Sequence, residues 1–186
     1  MVIAVAFMAL AGCAAPSAQP SFHLRQDIDL STIKKVAVLP LENLTNDKYA
    51  ADAVRHVIVN ELLVSGVVDV SMPGDAMAAA EKAGVRTVTT MSEDQIKKVG
   101  AALKVQAVIF GAVGKYGEIR SGQFTAPEVT ITLMMADTQT GSIIWSVTRS
   151  SVGDNFMARH FGARAETLSE TTMKVVREAI QTMKTE

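Results

Sequence analysis

The chain is poor in the residues that build catalytic and metal sites. Of its 186 residues, only one is a cysteine, three are histidines and 5% are aromatic. His23, His56 and His160 are far apart in the sequence, and none belongs to a paired helical motif of the kind that binds zinc. No serine lies in a nucleophile elbow of the G-x-S-x-G type. We therefore expect neither an enzyme nor a bound metal or cofactor.

A surplus of charge of either sign is also missing. The chain has 18 lysines and arginines against 19 aspartates and glutamates, for a net charge of -1. A nucleic-acid partner would require a basic face, so none is expected. The apolar fraction of 48% is ample for the packed core of one domain of ordinary size.

The first twelve residues form an apolar run that is too short to cross a membrane. A transmembrane helix needs about 20 such residues, whereas a signal-peptide core needs far fewer. The run ends in Leu10-Ala11-Gly12-Cys13, which resembles the lipobox of bacterial lipoproteins, L-[AS]-[GA]-C. The resemblance implies that residues 1–12 are a lipoprotein signal peptide and that Cys13 is cleaved free and carries lipid. The alternative is a buried N-terminal strand or helix with an ordinary core cysteine.

The stretch after Cys13 has the composition of a linker. Residues 14–27 contain two prolines and two serines and show almost no periodic pattern. We therefore expect residues 13–27 to be the lipidated cysteine and a flexible tether, and residues 28–186 to form a single domain. Because lipid would cap the only sulfur, the mature chain would have neither a disulfide nor a free thiol, which fits the periplasm.

Apolar periodicity predicts an α/β domain of the α+β-like kind. Early strands separated by helices indicate parallel pairing, and late strands joined by a tight turn indicate antiparallel pairing. The predicted order is β-α-β-α-α-β-β-β-α, with a mixed sheet of about five strands flanked by helices. The predicted strands are residues 34–41, 67–71, 105–116, 129–134 and 143–147, and the predicted helices are residues 48–65, 75–83, 92–104 and 165–184.

One non-periodic segment, residues 151–164, is the candidate contact loop. It contains Arg159, His160 and Phe161, which place two cations beside an aromatic ring. Loops carry binding residues more often than cores do, so these three are the predicted partner-binding residues. The alternative is an ordinary solvated loop.

Three segments together resemble a group of bacterial envelope proteins. Residues 36–44, VAVLPLENL, resemble the VAVLPFEN opening strand of periplasmic lipoproteins related to CsgG, LpoB and the TolB N-terminal domain. Residues 103–111, LKVQAVIFG, are similar to their LGADAVLVG strand. Residues 137–146, DTQTGSIIWS, resemble their D-x-x-T-G-x-x-x-W-S hairpin. The resemblance covers roughly residues 33–184.

The resemblance implies attachment to the outer membrane by a lipid anchor, with the domain facing the periplasm. Ala14 stands where an aspartate would signal inner-membrane retention in enterobacterial lipoproteins. The implied role is non-catalytic, through protein contacts in the assembly or regulation of a cell-envelope complex. A subunit of a CsgG-like secretion channel and an LpoB-like activator of a peptidoglycan synthase are the alternatives. Exposed strand edges and ring-forming relatives also favour a homo-oligomer.

Segment lengths argue against a pore. A hairpin that crosses a membrane needs two strands of about 9–11 residues that alternate apolar and polar side chains. The segments outside the predicted elements, residues 117–126 and 151–164, are short and do not alternate. We therefore expect a protein that is not itself a pore.

Overall fold

A computed structural model describes residues 21–66, 68–121, 124–153 and 164–184. Its strands are β1 (Ser21–Leu24), β2 (Lys35–Val38), β3 (Glu42–Asn43), β4 (Asp69–Val70), β5 (Ala107–Ser121), β6 (Phe124–Asp137) and β7 (Ile143–Val152). Its α-helices are α1 (Ala50–Ser65), α2 (Pro73–Lys82), α3 (Glu93–Leu103) and α4 (Leu168–Gln181). Short 3-10 turns cover Leu30–Thr32, Val88–Thr90 and Thr182–Lys184.

All seven strands join one mixed sheet. Their order is β1-β7-β6-β5-β2-β4, and β3 pairs with β5 beyond the end of β2. The strands β2, β3, β4 and β5 pair in parallel, whereas β1, β7, β6 and β5 pair antiparallel. This confirms the predicted fold class. Two short strands exceed the expected five, because β1 lies within the predicted tether and β3 lies between the first predicted strand and the first predicted helix.

Helices cover the sheet unequally. On one face α1 and α4 bury a core that runs from β2 across to β7. On the other face α2 and α3 cover β2, the first half of β5 and the end of β6, through a smaller cluster that contains Leu39, Phe110 and Val99. In the described part of the chain, no helix is both long enough and apolar enough to cross a bilayer.

Helix boundaries follow the local signals in the sequence. Pro73 opens α2, where its missing N–H costs no hydrogen bond. Ser92 and Gln95 form a reciprocal capping box at the start of α3. Gly66 ends α1 in the left-handed conformation, with φ of 62°, as a C-terminal glycine commonly does. All three signals can be recognised in the sequence at these positions.

The hairpin of β5 and β6 is longer than predicted. Glu128 of β6 pairs with Val152 of β7 and with Gly117 of β5, and beyond it β5 and β6 continue as a two-stranded ribbon over residues 118–121 and 124–127. The name ribbon is used below for residues 115–121 and 124–128, which include the base of this projection. Gly114 lies inside the predicted strand 105–116, and Pro127 is a residue type that central strands rarely contain. The pairing of β5 with β6 accommodates Gly114 by a register shift between Val113 and Lys115. Pro127 is accommodated within the ribbon, where it pairs with Glu118. The expectation that residues 117–126 lie outside the strands is therefore wrong.

Candidate interaction site

The strand directions place different structures at the two ends of the sheet. The ribbon projects from one end, called here the ribbon end, where α1 and α4 also begin. At the opposite end, called the cleft end, β1 stops and the chain crosses to β2. The first turn of the crossing is a 3-10 turn capped by Asp29, whose carboxylate accepts the Ser31 N–H at 2.8 Å.

An apolar cleft of about 830 Å³ lies at the cleft end. Strand β1, the crossing segment and the region after α4 form its walls. Ile33 is only 6% exposed, so the crossing segment is fixed to the core beneath it. The apolar residues that line the cleft are Phe22, Leu24, Ile28, Leu30, Ile33, Val68, Met135 and Met183.

The charged groups beside the cleft already have partners. The Arg25 guanidinium donates through Nε to Asp27 at 2.9 Å. This hydrogen bond raises the pKa of Arg25 and lowers the pKa of Asp27. Hydrogen bonds from the side chain and backbone of Ser31 lower the pKa of Asp29. The cleft therefore offers mainly apolar contact, and Arg25, Asp27 and Asp29 beside it are engaged in local hydrogen bonds.

Among the described strands, β1 is one edge of the sheet, and it lies beside the cleft. Its successor Arg25 donates its N–H to the Ile144 carbonyl at 3.0 Å. Because hydrogen-bonded and non-hydrogen-bonded pairs alternate in an antiparallel ladder, the N–H and C=O groups of Leu24 and Phe22 point away from β7. The side chains of the same two residues line the cleft. An extended peptide that pairs with β1 can thus place alternate side chains in the cleft.

The structure does not describe the site residues that were predicted from the sequence. Cys13, Arg159, His160 and Phe161 all lie outside the described residues. The described residues on either side of the segment that contains Arg159, His160 and Phe161 are at the ribbon end. Gly153 donates its N–H to Pro127 at 2.7 Å, and Arg164 pairs with Glu170 in the first turn of α4.

The D-x-x-T-G-x-x-x-W-S motif has a structural role. Asp137 Oδ1 accepts the Thr140 N–H at 2.7 Å and so closes the turn between β6 and β7. Gly141 has φ of 80° and lies against Glu93 of α3, where a side chain would collide. Trp145 is fully buried and donates through Nε1 to Thr182 at 2.9 Å, which ties β7 to the end of α4.

Arg55 is a buried residue that the sequence pattern did not reveal. It is 7% exposed and donates to the Val38 carbonyl at 3.1 and 2.8 Å and to the Pro73 carbonyl at 2.9 Å. Burial lowers the pKa of Arg55. The guanidinium joins α1 to the end of β2 and the start of α2. The position of Arg55 between buried residues of α1 could have indicated its burial. The sequence alone does not show that its partners are backbone carbonyls.

An apolar cleft beside the edge of the described sheet offers the groups that an extended peptide could contact. Among the residues that the structure describes, no three histidine, cysteine or acidic side chains come together in a way that could hold a metal ion. Residues 17–150 match the family described as Peptidoglycan-synthase activator LpoB, and the chain belongs to that family. A search of curated proteins finds no match. The broader grouping with CsgG and TolB stays a prediction.

Two solved structures show the same fold. The PelC dodecamer from Paraburkholderia phytofirmans is 17% identical, with a TM-score of 0.62 over 90% of this chain and 97% of that chain. Lipoprotein GNA1162 from Neisseria meningitidis is 14% identical, with a TM-score of 0.53 over 80% of this chain and 99% of that chain. At these identities the likeness concerns the fold alone.

Proposed function

We propose that this protein is an outer-membrane lipoprotein that faces the periplasm and activates a peptidoglycan synthase through protein contacts. The observation that carries the proposal is the match of residues 17–150 to the LpoB family, whose description names a peptidoglycan-synthase activator. Activation is a regulatory role, so no catalytic residue is required of this chain. The lipobox ending at Cys13 supports attachment to the membrane.

The cleft end supplies the docking site in this proposal, and its occupant is an extended segment of the synthase. The outward amide groups of Phe22 and Leu24 offer main-chain hydrogen bonds. The apolar walls offer pockets for alternate side chains of that segment. Because the neighbouring charges are paired with one another, binding should depend little on salt.

A pore is not proposed, although β5 and β6 are long enough to form a hairpin that inserts. Side chains that face a membrane's hydrocarbon must be apolar along one whole face of the hairpin. Both faces of the ribbon carry charge. Lys115 and Glu128 lie on one face, and exposed Glu118 and Arg120 lie on the other.

Self-association is a second proposal. The PelC structure that shares this fold is a dodecamer. The position of β1 at one edge of the described sheet supports the same idea, because exposed strand edges readily pair with another chain. Light scattering on the chain with Cys13→Ser tests it, and a monomer at tens of micromolar would count against it.

The activator proposal is tested with the lipidated chain and the peptidoglycan synthases purified from the same organism. We expect the chain to increase glycan polymerisation by at least one of them. Phe22→Asp should abolish the stimulation, since it puts a charge into the cleft. Met77→Asp is the matched control, because Met77 has similar exposure, 48% against 42%, but lies on α2, outside the cleft.

Two results would contradict the proposal. If no synthase responds to the wild-type chain, the family's activity does not extend to this member. If Phe22→Asp stimulates as well as wild type while it keeps its circular dichroism spectrum, the docking site lies elsewhere. The anchor is tested separately by Cys13→Ser, which should move the protein from the membrane to the soluble fraction.

A further inference from the structure

We propose that the outer end of the ribbon, around Ile119, lies on the phospholipid surface, so that the cleft end points away from the membrane. This inference rests on the proposed lipid anchor at Cys13. It is carried by three features of the described residues, which are the direction of β1, the length of the ribbon and the side chains of the ribbon.

The direction of β1 sends the preceding chain towards the ribbon end. In the antiparallel pairing with β7, Leu24 lies opposite Trp145, and Ser21 lies opposite Thr148, nearer to the ribbon. A chain that is followed backwards from Leu24 through Ser21 therefore leaves the sheet in the direction in which the ribbon projects.

The maximum reach of the chain between Cys13 and Ser21 is close to the distance from the level of Ser21 to the end of the ribbon. Ser21 is level with Thr148, which pairs with Thr132 of β6. From Thr132 to the first residue of β6, Phe124, is eight residues, or about 27 Å at 3.3–3.4 Å per residue. From Cys13 to Ser21 is also eight residues, which span at most about 26–29 Å. A lipid at Cys13 therefore cannot hold an upright domain farther from the membrane than its ribbon reaches.

The inverted orientation is much harder to reach. The turn after Asp137 lies at least five residues beyond Thr132, about 17 Å or more in the opposite direction. The tether would have to reverse at Ser21, which takes at least about two residues. The remaining six residues would have to run fully extended for about 20 Å, and the cleft would be pressed against the bilayer.

The side chains of the ribbon suit the headgroup layer. Ile119 is 38% exposed, and its neighbours Glu118 and Arg120 are also exposed. Lys115 lies on the same face as Ile119. One apolar side chain surrounded by long charged ones can enter the interface while the charges remain among phosphates and water. Charge on both faces keeps the ribbon from going deeper.

The test places a fluorescent probe at each end of the domain. Ile119→Cys and, as a second ribbon variant, Glu118→Cys are compared with Gln139→Cys in the exposed turn at the cleft end. Cys13 is the only other cysteine, and lipid blocks its thiol. Each lipidated chain is labelled with an environment-sensitive dye and reconstituted in phosphatidylethanolamine–phosphatidylglycerol vesicles that contain headgroup spin labels.

We expect the spin labels to quench the ribbon probes at least two-fold more strongly than the probe at position 139. Insertion of twenty Gly/Ser residues after Ala18 should remove the difference while the protein still floats with vesicles. Equal quenching at both ends, or stronger quenching at position 139, would overturn the orientation and leave the anchor intact. Failure of the wild-type chain to float with the vesicles would overturn the anchor, and the orientation with it.

Discussion

The two ends of the sheet are stabilised by different kinds of interaction. At the cleft end the important side chains are apolar and deeply buried, as Trp145 at 0% and Met135 at 3% exposure show. At the ribbon end they are charged and close to water. Lys115 pairs with Glu128 at 2.7 Å across the ribbon, and Arg164 pairs with Glu170 at the start of α4.

This difference means that the two ends can be perturbed separately. Apolar burial responds to a change of side-chain volume and hardly to pH or salt. Exposed ion pairs respond to both and contribute little each. A rigid, apolar cleft suits recognition of a partner, whereas a charged ribbon suits contact with an aqueous, ionic surface.

Trp145→Ala should have the largest effect. The substitution leaves a cavity in the core and removes the hydrogen bond to Thr182, so we expect a loss of about 3–5 kcal/mol in the free energy of unfolding. Ile143→Ala, two residues earlier on the same strand at 42% exposure, should cost far less. Urea unfolding of chains that carry Cys13→Ser measures both. Equal losses for the two variants would show that the cleft end is not fixed by burial.

Arg55→Leu tests a polar contact on the half of α1 nearer to the ribbon. Its loss in the free energy of unfolding is compared with that of Trp145→Ala. Removal of the guanidinium leaves the buried carbonyl of Val38 and the part-buried carbonyl of Pro73 without this donor, and we expect a loss of about 2–3 kcal/mol. His56→Leu is the control, since His56 is the exposed neighbour on the helix. Urea unfolding again provides the measurement. A neutral Arg55→Leu would mean that water or repacking replaces the donor.

Most of the fold could be predicted because its signals are local. Caps at Ser92 and Gly66, the proline at position 73 and the period of buried residues are all readable along the chain. The two missed strands are short, with four and two residues, and depend on partners far away in the sequence. β1, for example, is a strand because β7 has a free edge more than 120 residues later.

The candidate site could not be predicted for the same reason. The cleft joins β1 and the crossing segment to Met135 and Met183, which only the tertiary fold brings together. Apolar residues such as Phe22 and Leu24 give no chemical signal in a sequence, unlike charges or histidines. The ribbon was missed because residues 117–126 do not alternate apolar and polar side chains, whereas pairing between β5 and β6 holds the strands extended as far as residues 121 and 124.

Acid should loosen the ribbon end before the cleft end. Hydrogen bonds from Arg164 and then from Thr167 lower the pKa of Glu170 from 4.5 to about 2. The folded state therefore gains stability from the ionised carboxylate above pH 4.5, and this gain is lost as the pH falls through about 2. Arg164→Ala should move the titration of Glu170, followed by its carboxyl NMR shift, back towards 4.5.

The only tryptophan provides the comparison in the same sample. Trp145 belongs to the cleft end, so its fluorescence should stay constant while the carboxyl of Glu170 titrates. A change of tryptophan emission with the same midpoint would show that the two ends are coupled and do not respond independently.

The ion pair across the ribbon should have the smallest effect. The Lys115 side chain is 58% exposed and the Glu128 side chain is 16% exposed, so we expect their coupling to be about 0.2–1 kcal/mol. A double-mutant cycle of Lys115→Gln and Glu128→Gln in urea unfolding measures it. The coupling should shrink from low salt to 1 M salt, because the Debye length falls to about 3 Å. A coupling energy above about 1 kcal/mol that does not fall with salt would contradict this expectation. The ion pair would then stabilise the ribbon as strongly as a buried contact, and the two ends would not differ in the kind of interaction that stabilises them.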